Sequence, residues 1–151
     1  MSALVIESAV LDQAGAFFEE RGGDGAEGTG LIAGVPGAAA HRLVIPDQQA
    51  GRYPRCWVRI TPKGELDVAS ALARAERYVA RIHSHPGEAC HSAVDDENPI
   101  LTHQGALSVV VPFFGLGLRR GLDSCAVFRL DGPQWVELGP GPQRDAVVAI
   151  R

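Results

Sequence analysis

The chain has 151 residues, 46% hydrophobic and 21% charged, with a net charge of −4. That is enough apolar material for one core of ordinary domain size, and the balance argues against a disordered chain. The mild acidity and the lack of a basic block exclude nucleic acid as the main partner, and no apolar run is long enough to span a bilayer.

Leu4–Ile6 reads as a short strand. Ser8 is the expected N-cap of a first helix. Val10, Leu11, Ala14, Phe17 and Phe18 then recur at helical spacing, with Asp12, Glu19 and Glu20 off the stripe. The glycine-rich stretch from Gly22 to Gly28 ends this helix. Thr29–Gly34 reads as a buried strand and His41–Ile45 as another. Pro46–Cys56 is polar and turn-rich and reads as a loop, followed by a strand at Trp57–Ile60. Thr61 caps a second helix with Pro62 in its first turn. Leu66, Ala69, Leu72 and Ala73 are its expected apolar face.

Tyr78–Ser84 returns to strand. Pro86–His91 is a loop, and a short helix is expected near Asp95–His103. Leu107–Val111 is a strand, central by its unbroken apolar character. Phe113–Leu122 is a glycine-rich connection whose GxGxxxG spacing differs from the GxGxxG of a nucleotide site. Phe113 and Phe114 are expected to pack in the core, with exposed contact residues bordering a substrate groove as the other reading, and Trp57 and Trp135 in the core or at its rim. Cys125–Leu130 and Trp135–Leu138 form a hairpin around Asp131-Gly132. A last strand, Val147–Ile150, follows Gly139–Pro142. Strands and helices intermix without strict alternation, so the expected fold is a mixed α/β (α+β) layer structure, one domain over residues 1–151.

The three cysteines, Cys56, Cys90 and Cys125, show no CxxC spacing. They form no disulfide framework and suit a reducing compartment. The N-terminal segment has no basic region leading into an apolar one, so no signal peptide is expected and the protein reads as soluble and cytoplasmic.

The chemistry is concentrated between Ile82 and Glu97, IHSHPGEACHSAVDDE. His83 and His85 lie two apart at a strand end, so their imidazoles project to one face. Pro86 ends ladder pairing and opens the site into a loop. A carboxylate returning from that loop can supply a third ligand, and three protein ligands plus water mark a catalytic zinc. An HxH pair alone is more often two packed or surface histidines. Likewise Ser92-x-x-Asp95 alone is as readily a helix cap and first-turn acid. Cys90 and His91, adjacent in sequence, make a poor nucleophile–base pair.

His83-Ser84-His85-Pro86 followed by Ser92-x-x-Asp95 resembles the JAMM motif of the JAB/MPN+ metalloproteases. The upstream run Glu27-Gly28-Thr29-Gly30-Leu31-Ile32-Ala33-Gly34 resembles that family's glutamate-bearing strand in order and position. The resemblance covers most of the chain and is greatest to small bacterial members encoded near ubiquitin-like conjugation genes. It implies a mixed β-sheet flanked by helices. It implies Zn2+ held by His83, His85 and Asp95, with Glu27 as general base and Ser92 as donor to the oxyanion. The spacing from His85 to Ser92 and Asp95 is one residue shorter than usual, so Asp96 remains an alternative third ligand.

The resemblance further implies a zinc isopeptidase acting after the C-terminus of a ubiquitin-like protein, in a bacterial conjugation or antiphage pathway. Activating and conjugating enzymes of that pathway would be further partners. Two other readings stand beside it: a peptidase trimming a sulfur-carrier protein, and a catalytically silent scaffold of the same fold.

Overall fold

The structure is a computed structural model and describes residues 3–89 and 101–151. In chain order the elements are β1 (Leu4–Ile6), α1 (Ser8–Gly23), β2 (Thr29–Gly34), β3 (Arg42–Val44), β4 (Gln48–Ala50), β5 (Val58–Ile60) and α2 (Pro62–Ala71). Then come β6 (Arg77–Ser84), β7 (Leu107–Val111), a 3-10 segment (Phe113–Arg120), β8 (Ala126–Asp131), β9 (Gln134–Glu137), α3 (Pro142–Asp145) and β10 (Val148–Ile150).

Six strands make the central sheet in the order β3-β2-β6-β7-β8-β9. β6 and β7 are parallel, and the other neighbours are antiparallel. The mixed sheet expected from the sequence is therefore present. β2 and β7 are buried at every position because both faces of the sheet are covered. One face packs Ile32, Ala80, Ile82, Val109 and Val127 against Val10, Leu11, Ala14 and Phe18 of α1. The other face carries Leu31, Val44 and Leu130 together with Val68 of α2. β1 and β10 pair in parallel as a separate two-stranded sheet, and β4 and β5 form a third, antiparallel one.

Several local expectations change. The N-cap of α1 is Glu7 rather than Ser8, and no side chain caps that end. Pro46–Cys56 is not all loop, since it contains β4, whose Gln48, Gln49 and Ala50 pair with Ile60, Arg59 and Val58. A half-exposed hairpin needs no apolar alternation, so Gln-Gln-Ala carried no strand signal. The buried residues of α2 are Gly64 and Val68, four apart, while Leu66 is 70% exposed. Helix α2 lies so close to the chain at Asp47 that a Cβ on Gly64 would sit 2.1 Å from the Asp47 carbonyl oxygen. That approach rotates Val68, not Leu66, onto the sheet.

The cap of α2 is as expected: the Thr61 hydroxyl oxygen accepts a hydrogen bond from the Gly64 N–H at 3.1 Å. Thr61→Ala should lower unfolding stability by about 1 kcal/mol, measured by urea denaturation. An unchanged denaturation midpoint would show that the cap contributes nothing.

The helix expected near Asp95–His103 falls mostly outside the described residues, and residues 101–103 carry no helix. Phe113 is 50% exposed and does not pack in the core. Trp57 is exposed, whereas Trp135 is partly buried beneath the Arg81 guanidinium.

Candidate metal centre

β6 carries His83 through the middle of the sheet, flanked by β2 and β7. His83 is opposite Thr29 on β2 and beside Val110 on β7. Continuing the antiparallel register past Thr29 sets Gly28 opposite Ser84 and Glu27 opposite His85. Side chains alternate along a strand, so Glu27 and Thr29 face the same way as His83 and His85. That face is the one bearing Leu31, Val110 and α2.

The intervening residues hold this corner. Ser84 is fully buried, and its hydroxyl oxygen accepts the Gly28 N–H at 2.9 Å. The Ser84 N–H donates to the Gly28 carbonyl at 3.0 Å. Gly28 must be glycine because a Cβ there would lie 2.7 Å from the Phe17 ring and 3.0 Å from the Phe18 ring. Gln48 grips the next residue, its amide bonding both the N–H and the carbonyl of Thr29 at 2.9 Å. The Arg21 Nε donates to the Glu27 carbonyl at 3.2 Å. On the other side, the His85 N–H donates to the Val111 carbonyl at 2.8 Å, beyond the end of the ladder. Gly28, Gln48 and Ser84 were not singled out from the sequence as residues that shape the site. Only the Gly after Glu27 and the Ser between the histidines gave a trace of it.

The two imidazoles converge. Nε2 of His83 and Nε2 of His85 are 3.2 Å apart, with the rings tilted by 56°. Two nitrogens bound to one tetrahedral ion at about 2.0–2.1 Å stand about 3.3 Å apart, so the pair fits two ligands of a zinc-sized ion. Holding such an ion needs both Nε2 lone pairs, which leaves the ring protons on Nδ1. Glu27 Oε2 lies 4.0 Å from His85 Nε2, with the carboxylate 9% exposed. Glu27 and His83 are both buried.

The structure thus brings together Glu27, His83 and His85, three of the five residues singled out. Ser92 and Asp95 lie outside the described residues, as do Asp96, Cys90 and His91. Among the described residues, no group of three His, Cys, Asp or Glu side chains is arranged to hold an ion.

Cys56 lies near this corner, with Sγ 3.7 Å from the Gly25 carbonyl oxygen. Burial pushes its thiol pKa up, and the Glu27 charge adds to the effect. Cys125 is buried in the opposite core, where desolvation raises its thiol to about 12. Neither is poised as a thiolate nucleophile at neutral pH.

No family model matches the chain. The chain is 35% identical over 125 residues to a probable metalloprotease of Sinorhizobium fredii (strain NBRC 101917 / NGR234), covering 78% of this chain and 75% of that protein. Its fold is similar to the crystal structure of a JAB1/MPN domain protein from Archaeoglobus fulgidus, with a TM-score of 0.56 and 15% identity. That match covers 99% of this chain and 100% of the other. It is also similar to the solution structure of a protein from Desulfitobacterium hafniense, with a TM-score of 0.62 and 13% identity, over 98% of this chain and 92% of the other. The solved structures show the fold, and the bacterial relative shows the kinship. The chain belongs to the JAB/MPN family, and its relative and its fold support a metallopeptidase-type function.

Proposed function

We propose that this chain is a zinc-dependent JAMM-type peptidase that hydrolyses the peptide or isopeptide bond after the C-terminus of a ubiquitin-like protein. The observation that carries the proposal is the meeting of the Glu27 carboxylate with two imidazole Nε2 atoms 3.2 Å apart at one strand end. His83, His85 and Asp95 would hold the ion, with Asp96 the alternative third ligand. Zinc supplies Lewis acidity, which polarises a carbonyl and lowers the pKa of water towards neutrality.

Glu27 accepts the proton of the attacking water and returns it to the leaving amine. Its carboxylate is 4.0 Å from His85 Nε2, too far for a direct hydrogen bond and close enough to face a water held beside the two imidazoles. Burial of the Glu27 side chain limits access of bulk water to this carboxylate. Ser92 donates to the developing oxyanion in this proposal.

A ubiquitin-like tail would enter extended, as an added strand. The β4–β5 hairpin is suitably placed. It adjoins the Glu27 segment through the bridge between Ala26 and Arg52, and among the described residues no third strand joins it. A cavity of about 600 Å3 lies between it and α1, lined by Phe17, Arg21, Ala26, Gln48, Arg52 and Trp57 among others. No described helix is long and apolar enough to cross a membrane, and a cytoplasmic setting belongs to the same proposal.

The test is incubation of the zinc-loaded protein with ubiquitin-like proteins fused to a C-terminal extension, with and without a chelator. Chelator-sensitive release of the modifier supports the proposal. Cleavage confined to sulfur-carrier fusions would move the substrate to that class, and no cleavage of any fusion would sink the peptidase reading.

A further inference from the structure

The 3-10 segment after β7 holds two bulky residues in left-handed backbone conformations, Phe113 at φ 56° and Phe114 at φ 52°. Such residues rarely adopt this region, and holding them there is unfavourable unless the surroundings compensate. The conformation brings a specific return. The Phe114 N–H donates to the His85 carbonyl at 2.7 Å, and the Phe113 N–H donates to the Gly87 carbonyl at 2.9 Å. These bonds tie the backbone that leaves the sheet at the second histidine, beyond the last ladder pair.

The Phe114 side chain then fits a notch in α1. A Cβ on Gly22 would stand 2.4 Å from Phe114 Cβ and 2.9 Å from its Cγ. The next residue of the same helix, Gly23, has nothing within 4 Å of such a Cβ. Gly115, at φ 95°, fits equally closely over Phe18, where a Cβ would meet the Phe18 Cβ at 2.5 Å. The Arg119 guanidinium pairs with the Glu19 carboxylate further along. The 3-10 segment is therefore keyed to one face of α1. The last turn of α1 also governs Glu27: Arg21 accepts the Ala26 N–H at its carbonyl and donates from Nε to the Glu27 carbonyl.

We propose that Phe114 is a positioning residue, seated in the Gly22 notch, that braces the His85 strand end against the same helix turn that holds Glu27. Its main-chain N–H fixes one partner of the site and its ring bears on the helix that fixes the other. The brace thus adds a support from outside the sheet to the spacing between base and ligand that the Gly28–Ser84 pairing sets. This inference deepens the metal-centre reading and rests on it for its functional meaning, while the brace itself exists without metal.

The test uses Gly22→Ala, which fills the notch, and Gly23→Ala as the matched control. Phe114→Gly is the second variant, since glycine keeps the left-handed backbone and the N–H but removes the ring. In metal-free protein, the imidazole NMR signals of His85 should shift or broaden in Gly22→Ala and Phe114→Gly, while those of His41 and His103 stay in place. Zinc affinity, by chelator competition, should fall about tenfold in both, the size of loss typical when support of a metal ligand is removed. The kcat should fall with KM unchanged. Gly23→Ala should match the parent in every readout. If Gly22→Ala and Phe114→Gly keep the His85 signals and zinc affinity of Gly23→Ala within twofold, the brace is overturned. If the parent protein takes up no zinc, the metal reading fails, and the histidine signals still decide the brace.

Discussion

Glu27→Gln should lower turnover by about 10²–10⁴-fold while leaving zinc content unchanged, because it removes a general base and nothing else. Glutamine matches glutamate in size, so the buried position stays filled. The main-chain bonds of this corner do not use the carboxylate: Arg21 bonds the Glu27 carbonyl, and Gly28 pairs with Ser84. The carboxylate stands 4.0 Å from His85 Nε2, farther than the about 3.3 Å between two ligands of one tetrahedral ion. Single-turnover kinetics on a cleavable fusion, with metal analysis of the same sample, would separate the roles. A variant of near-normal rate would remove Glu27 as base. A variant that loses zinc together with activity would make it a ligand instead.

His83→Ala and His85→Ala should each abolish tight zinc binding, weakening it by more than about 100-fold, the upper range for losing mere support of a ligand. The two should differ in their metal-free stability. His83 lies mid-sheet between β2 and β7 and is nearly fully buried, so its removal leaves a void among Thr29, Val110 and the neighbouring strands. His85 lies past the ladder, where Pro86 and Gly87 already lead outwards, so its loss should cost less. Thermal unfolding with and without zinc gives both quantities at once. A ligand at 100 times its dissociation constant stabilises the native state by about 2.7 kcal/mol, and neither variant should show that gain. Zinc stabilisation surviving in either variant would strike that histidine from the ligand set.

Much of the fold could be read directly. Thr29–Gly34 and Leu107–Val111 stand at the bounds expected, because short runs without charge or strict alternation, apolar but for Thr29 and Ser108, belong to strands covered on both faces. The hairpin closing at Gly132, at φ 59°, follows from its turn chemistry. The polar strand β4 was hidden because its pairing is made by backbone and by exposed side chains that leave no periodic trace. The face of α2 was misassigned because a close backbone approach at Gly64, not apolar spacing, decides which side meets the sheet. Phe113 looked like core because its side chain is apolar. Its exposure follows from the positive φ it shares with Phe114, which no residue pattern announces.

For the site, the sequence by itself determined that His83 and His85 share a face, since two positions apart on a strand allows nothing else. Its resemblance to the JAMM motif also gave the expectation that Glu27, Ser92 and Asp95 join them, and Ser92 and Asp95 lie outside the described residues. Only the tertiary structure decided that Glu27 meets the histidines. Fifty-six residues separate Gly28 from Ser84, and the register between them is set by one hydroxyl, one glycine and the two rings packed behind it. Such a register is a property of how three layers close on one another, and residue identity along the chain does not encode it locally.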